Sequence, residues 1–177
     1  MWDWISKPSG PAAAMLLLAA CATAPVAPAE TPDEAHAVAR TLDALHDAAS
    51  RADGAAYFAL FTPDAMFIGT DVSERWTLPE FRAYADPIFA RGRGWTYRAR
   101  SRSVRIAPVP CRCVAWFDEV LDSQSYGTTR GSGVLMRGPE GWKVAQYVLS
   151  FPVPNDLAKD MTDQIKAHEA KDQRPVQ

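Results

Sequence analysis

The sequence predicts an α+β fold, a curved antiparallel sheet wrapped around N-terminal helices that leaves a cone-shaped cavity between them. Two observations carry this. Helical periodicity, broken by one short apolar strand, occupies the first half of the chain as far as Gly92 and Gly94, and four long alternating strands occupy the second half, from Trp95 to Phe151. Helices grouped before strands mean layers of unlike structure on an antiparallel sheet rather than alternating βαβ units. A third observation bounds the size. The chain has 177 residues and is 47% hydrophobic, enough for one domain with a real core and too short for two comfortable ones.

Thr31-Pro32-Asp33-Glu34 reads as a capping box with Pro at the first helical position. The helix that follows puts Val38, Leu42, Leu45 and Ala49 on one stripe. Asp53-Gly54 ends it. A short helix, 55–61, brings Tyr57, Phe58, Leu60 and Phe61, and Thr62-Pro63-Asp64 turns into a short apolar strand over 65–69. Thr77-Leu78-Pro79-Glu80 is a second capping box. Its helix carries Leu78, Phe81, Ala85, Ile88 and Phe89 inward and ends at Gly92 and Gly94. Strands are predicted over 95–107, 113–121, 128–137 and 142–151, the last two joined by the hairpin turn Gly138-Pro139-Glu140-Gly141. A final helix over 157–169 has a narrow stripe of Leu157, Met161 and Ile165, and a short polar tail follows.

The first twenty residues read as a targeting segment. The apolar run from Pro11 to Cys21 is too short to span a bilayer and fits the core of a secretory signal. Leu18-Ala19-Ala20-Cys21 resembles the bacterial lipobox, in which the Cys is lipidated and becomes the mature N-terminus. The expected organisation is therefore a lipoprotein-type signal over 1–20 and a Pro-rich flexible tether over 21–31. A folded domain over 32–156 and a C-terminal helix and tail over 157–177 complete it. This implies a periplasm-facing protein held at the membrane through its lipid. The absence of Asp after Cys21 points to the outer membrane.

Net charge is −2, so no global field favours nucleic acid. No cofactor is indicated. Cys111 and Cys113 lack the His or second Cys pair that a metal site requires, so no metal is expected. A bridge between such near neighbours is disfavoured on a strand, so free or loosely paired thiols are expected.

Asp118 and Glu119 are the candidate proton-transfer residues. As neighbours on a strand they point to opposite faces, so only one lines the cavity; Trp116 shares the face of Asp118, and Phe117 that of Glu119. A carboxyl in an apolar cone has a raised pKa and suits general acid–base work. The competing reading pairs one of them with Arg130 across strands, which lowers the pKa instead. Arg130 and Ser132 share one face, and Trp142, Val144, Gln146, Val148 and Ser150 another. Arg130, Ser132 and Gln146 make a polar floor only if the hairpin register brings the two sets together. Asp71, Glu74, Arg75 and Trp76 suit either a pocket rim or an ordinary loop. His46 lies at the edge of the first helix's stripe. Arg98, Arg100 and Arg102 alternate with small residues and are expected on one solvated face that discourages edge pairing.

Several segments together resemble the SnoaL-like domain family of the nuclear-transport-factor-2-like, or cystatin-like, superfamily. They are Gly69-Thr70-Asp71, Glu74-Arg75-Trp76, Gly94-Trp95-Thr96-Tyr97, Ala115-Trp116-Phe117-Asp118-Glu119, Arg130-Gly131-Ser132-Gly133-Val134-Leu135 and Ser150-Phe151-Pro152-Val153-Pro154-Asn155-Asp156. The resemblance covers roughly 38–156. One departure is Val148, where the family's final strand leads one to expect Asn. The superfamily includes ketosteroid isomerase, cyclases, dehydratases, hydrolases and pure binding modules, so the fold alone selects no activity. Its dehydratases use a His at the cone mouth, which draws attention to His46, although no partner acid is assignable from the sequence.

The conical space left by the predicted sheet and helices is the natural place for a small-molecule ligand, with Trp76, Trp95, Tyr97, Trp116, Arg130, Ser132 and Gln146 as its candidate binding residues. Sheet-to-sheet dimers are common in the superfamily, so the resemblance implies a homodimer. Three functional readings follow. The cone binds a small, mostly apolar molecule; or it is an isomerase, cyclase or hydrolase site with a carboxylate base; or the domain is a dimeric interaction module with a filled cone.

Overall fold

The computed structural model describes residues 32–172. The predicted signal, Cys21, the tether and Thr31 of the first capping box lie outside them. Helices α1 (Pro32–Ser50) and α2 (Gly54–Ala59) come first. Strand β1 (Phe61–Ile68), the short β2 (Arg75–Thr77) and helix α3 (Leu78–Phe89) follow. Strands β3 (Tyr97–Ile106), β4 (Val114–Ser123), β5 (Gly127–Gly138) and β6 (Gly141–Ser150) lead to helix α4 (Ala158–Asp172). The strands form one six-stranded sheet in the order β2-β1-β6-β5-β4-β3, curved and not closed. All pairs are antiparallel except β1 with β6. That one parallel pair is a refinement of the expectation, because α3 and the three strands after it carry the chain back to the same end before β6 is laid down.

Local chemistry accounts for the helices. The second capping box forms as read: Glu80 accepts from the Thr77 backbone N–H at 2.8 Å and from its hydroxyl at 2.7 Å. Asp53 caps α2, accepting from the Ala56 N–H at 3.0 Å. Val38, Leu42, Leu45 and Ala49 of α1 are buried as the stripe predicts. Gly94 is required where the chain re-enters the sheet, because a Cβ there would collide with the Ala49 carbonyl at the end of α1. All helices that pack do so on one face of the sheet. The core between them is aromatic: Tyr57 has the rings of Phe58, Phe61, Phe81, Phe89 and Trp95 within 6.1 Å of its own.

Two bulges rearrange what strict alternation implies. In β6 the pairing shifts between Val134 and Leu135, so Ala145 is an extra residue. Trp142 and Val144 before it, and Tyr147 and Leu149 after it, all face the core. Gln146, Val148 and Ser150 therefore do not share the face of Trp142 and Val144. In β3 the shift falls between Ala99 and Ser101, making Arg100 the extra residue. The three arginines are thus not on one face. Arg98 opposes Asp122, whereas Arg102 opposes Glu119 and turns inward.

The connection from β3 to β4 also departs from expectation. Cys111 and Cys113 are joined by a disulfide. They lie in a turn, not a strand. Arg112 between them takes φ +47°, which folds the chain back and brings the Cα atoms to 5.1 Å, within bridging range. Arg112 reaches the start of α1, donating to Glu34 at 2.8 Å through Nε.

Candidate functional site

The strand alternation of β4 sorts the candidate acids. Ala115, Phe117, Glu119 and Leu121 are buried on the helix-facing side, and Trp116, Asp118 and Asp122 are exposed on the other. The register carries this across the sheet. Trp116 pairs with Val134 and that with Gln146; Asp118 pairs with Ser132 and that with Val148; Val120 pairs with Arg130 and that with Ser150. Arg130, Ser132 and Gln146 do share a face, but it is the outer one, with Trp116 and Asp118. Five of the nine sequence-selected residues therefore lie on the side of the sheet away from the helices. Glu119, Trp76, Trp95 and Tyr97 lie on the helix side.

Glu119 is the centre of the interior polar chemistry. Its side chain is 0% exposed in the middle of an apolar wall. Three donors satisfy it. His46 Nε2 lies 2.7 Å from Oε1, Tyr147 Oη donates to Oε1 at 3.1 Å, and Arg102 Nε donates to Oε2 at 2.7 Å. Arg102 extends the chain outward, donating through Nη1 to Asp43 at 2.8 Å and to the Ala39 carbonyl at 3.0 Å. Burial pushes the Glu119 carboxyl up, but His46 and Arg102 together outweigh it and hold the group below the usual carboxylate range. Glu119 is thus an ionised anchor rather than a carboxylic acid poised near neutrality. Burial and the adjacent Glu119 charge push the Tyr147 phenol well above its ordinary value, so Tyr147 stays a neutral donor.

Each element has a reason to deliver its group. α1 sets His46 one residue past the buried Leu45, at the stripe's edge, where it faces β4. The β6 bulge turns Tyr147 inward. The β3 bulge turns Arg102 inward. Gly131, directly opposite Glu119 on β5, leaves the space that the Tyr147 hydroxyl occupies; a Cβ there would also stand 3.0 Å from Glu119 Oε1. In the sequence His46 stands without a partner and nothing marks Tyr147. Arg102, expected on a solvated face, instead opposes Glu119 and donates to it. The one legible signal was the pairing of a helix-edge His with an acid on the Phe117 face of β4.

Above this network lies a cavity of about 190 Å³, open at one end. Its mouth is formed by the 69–76 loop, the start of β3 and the β4–β5 turn. Trp76, Tyr84, Trp95 and Tyr97 supply aromatic surface, and Glu74 and Tyr126 supply polar atoms at the rim. The charged loop is both of the things the sequence allowed: Asp71 is tied to Ser73 within its own turn, while Glu74 and Trp76 line the opening. Rings run inward in near-parallel sequence. Tyr84 stacks on Trp76 at 5.0 Å, Trp76 on Phe81 at 5.8 Å, Phe81 on Phe67 at 4.0 Å, and Phe67 on Tyr147 at 5.7 Å. A second, smaller space of about 20 Å³ is lined by His46, Tyr147 and Leu45, and shares Tyr97 and Leu149 with the first. His46 has a second aspect. It also lines a solvent groove between α1 and β3, together with Asp43 and Asp47. Burial pushes the Tyr97 phenol up to about 12, so it too is a neutral hydroxyl at the cavity wall. Among the described residues no cluster of His, Cys, Asp and Glu is placed to hold a metal ion.

Comparison with solved structures finds the same fold at low identity. A domain with a cystatin-like fold from Nostoc punctiforme superposes with a TM-score of 0.58 at 17% identity, over 81% of this chain and 93% of that one. A nuclear-transport-factor-2-like protein of unknown function from Pseudomonas putida gives 0.59 at 12%, over 72% and 92%. A ketosteroid isomerase-like protein from Erwinia carotovora atroseptica gives 0.52 at 18%, over 70% and 100%. Among curated proteins none matches. Residues 38–154 match the SnoaL-like domain, most of the folded part, and the chain belongs to that family.

Proposed function

We propose that this protein binds a small, flat, mainly apolar molecule in the cavity between α3, β1 and the start of β3. The observation that carries the reading is the open, ring-lined space of about 190 Å³, which shares Phe67, Trp95, Tyr97 and Leu149 with the smaller space that His46 lines. Apolar walls with one or two convergent polar groups are the usual composition of a ligand site. The volume is below the roughly 300 Å³ at which sites for drug-sized molecules begin, so it suits a ligand of one ring system. Tyr84 and Trp76 at the mouth offer ring faces that favour planar partners. The test is titration of the protein with monocyclic and bicyclic ketones and phenols, followed by tryptophan fluorescence and calorimetry. Saturable binding that Trp76→Ala weakens at least tenfold supports the site. No binding across that set, with a folded protein, rejects it.

A second reading, proton transfer on the bound molecule, is favoured by the His46–Glu119 pair. A carboxylate accepting from Nε2–H fixes the imidazole in the tautomer whose Nδ1 carries the lone pair, and it stabilises the imidazolium formed when that nitrogen takes a proton. In this reading His46, not Glu119 or Asp118, is the base, and Glu119 positions it. The groove beside Asp43 and Asp47 returns the proton to water without opening the mouth. Turnover that His46→Ala abolishes, while ligand binding persists, supports catalysis over binding alone.

Two further elements belong to the proposal. The outer face pairs with a second copy of the chain through the cross-strand row Trp116, Val134, Gln146 and Met66, in which Trp116 is 47% exposed. A lipid on Cys21 holds the protein at the outer membrane facing the periplasm, a reading supported by the lipobox-like Leu18-Ala19-Ala20-Cys21 and the Pro-rich stretch after it.

A further inference from the structure

The β3–β4 turn lies at the end of the sheet opposite the cavity mouth, and it carries a reactive group that the ligand site does not use. The Cys111–Cys113 disulfide closes a ring over a single intervening residue. The entropy a cross-link removes from the unfolded chain grows with the logarithm of the loop it closes, so a ring over a single residue stabilises least. Nor does the turn depend on it. The Ala107 N–H donates to Val114 O at 2.8 Å, the Arg112 N–H to Val109 O at 3.0 Å and the Arg137 N–H to Cys113 O at 2.8 Å, so backbone hydrogen bonds already close the connection. A structural staple is therefore a poor account of the bond.

Its surroundings favour exchange chemistry. Cys111 is exposed and Cys113 is half-buried, so an incoming thiolate reaches the first sulfur and expels the second. Arg112 is held at φ +47°, a left-handed conformation that a residue with a Cβ rarely adopts. Exposed disulfides in such turns are the labile ones, whereas buried structural bridges resist reduction.

We propose that Cys111–Cys113 is a thiol–disulfide exchange site for a low-molecular-weight thiol. The thiolate attacks Sγ of Cys111. The Sγ–Sγ bond breaks as a mixed disulfide forms at Cys111, and Cys113 leaves as a thiolate that takes a proton from water. A second thiol attacks the mixed disulfide, freeing Cys111 and releasing the oxidised thiol dimer. In sum, the protein disulfide and two thiols become the protein dithiol and one small disulfide. The reverse steps, with the small disulfide as oxidant, close the ring again. Because Cys113 lies one residue away, it resolves the mixed disulfide rapidly.

The experiment uses the full chain carrying Cys21→Ser, equilibrated without denaturant against graded ratios of reduced to oxidised glutathione. Samples are acid-quenched, alkylated and weighed by mass spectrometry, with circular dichroism recorded alongside. The expected result is a reversible two-thiol transition within the glutathione series, at constant circular dichroism. Cys113→Ser is expected to hold glutathione on Cys111 as a stable mixed disulfide, and Cys111→Ser to react at least tenfold more slowly at Cys113. Two results overturn the proposal. One is a pair that stays oxidised at every glutathione ratio and yields only to a strong dithiol in denaturant. The other is a pair found as two free thiols in protein isolated without reductant.

Discussion

Replacing Glu119 by Gln keeps the size and shape of the side chain, removes its charge and turns one acceptor oxygen into an NH2 donor, so it probes the polar network under the cavity. Glu119 accepts from His46, Tyr147 and Arg102 and is 0% exposed. Removing one partner of a buried ion pair outright costs about 3–5 kcal/mol, because the other charge is left unpaired in a poor solvent. Here Arg102 keeps Asp43 and the Ala39 carbonyl, and the Gln oxygen can turn toward Arg102 Nε. The cost therefore falls just below that range, at about 2–3 kcal/mol. At about 2–4 °C per kcal/mol for a chain of this size, the melting temperature should fall by about 5–10 °C.

The acid dependence of this stabilisation has a definite sign. The Glu119 carboxyl is held below its ordinary value of 4.5 in the folded protein. Its contribution is fully present above about pH 4.5 and is lost as the pH falls through the folded value. The gap between wild type and Glu119→Gln should therefore be constant from pH 7 to 5 and narrow below about 4.5. Urea melts at pH 7, 5 and 3.5 in 0.15 M salt measure it. A variant within about 0.5 kcal/mol of wild type at pH 7, or a gap that does not narrow on acidification, refutes the assignment of Glu119 as an ionised anchor.

Other substitutions probe separate parts of the structure. Tyr147→Phe removes one donor to a carboxylate that keeps two others and should cost about 1 kcal/mol, read by the same melts. Gly131→Ala places a methyl group against the Tyr147 hydroxyl and Glu119 and should cost about 1–3 kcal/mol by overpacking; an unchanged midpoint in urea contradicts the tight approach. Trp116→Glu on the outer face should convert a dimer to a monomer in analytical ultracentrifugation without altering the circular dichroism, and a monomeric wild type rejects the pairing. Cys21→Ala should move the protein from the membrane to the soluble periplasmic fraction, and unchanged membrane association rejects lipid anchorage.

Much of the architecture was legible because it is written in local chemistry. The Thr77 capping box, the buried stripe of α1 and the Gly138–Gly141 hairpin each depend on residues within a few positions of one another. Strand alternation correctly separated Trp116 and Asp118 from Phe117 and Glu119. Alternation alone, however, does not say which face meets the helices, and a carboxylate buried in an apolar wall is the less natural choice until its donors are known. Those donors come from α1, β3 and β6, at positions 46, 102 and 147, far apart in the chain. Two of the three reach Glu119 only because a bulge reverses the phase of their strand, at Arg100 and at Ala145. A bulge leaves little mark in a sequence, since its extra residue is of ordinary type and its cause is sheet curvature.

The disulfide followed the same logic. Two cysteines separated by one residue are a poor pair on a strand, and only the left-handed turn at Arg112 makes them a good one. The sequence by itself determined the family, the aromatic supply for a cavity and the element order apart from the short β2, because propensity, capping and patterning act over short distances. Tertiary structure decided that Glu119 faces inward with His46 and that Arg130, Ser132 and Gln146 face outward. That choice rests on strand register and curvature, which are set by packing the whole sheet against the helices at once.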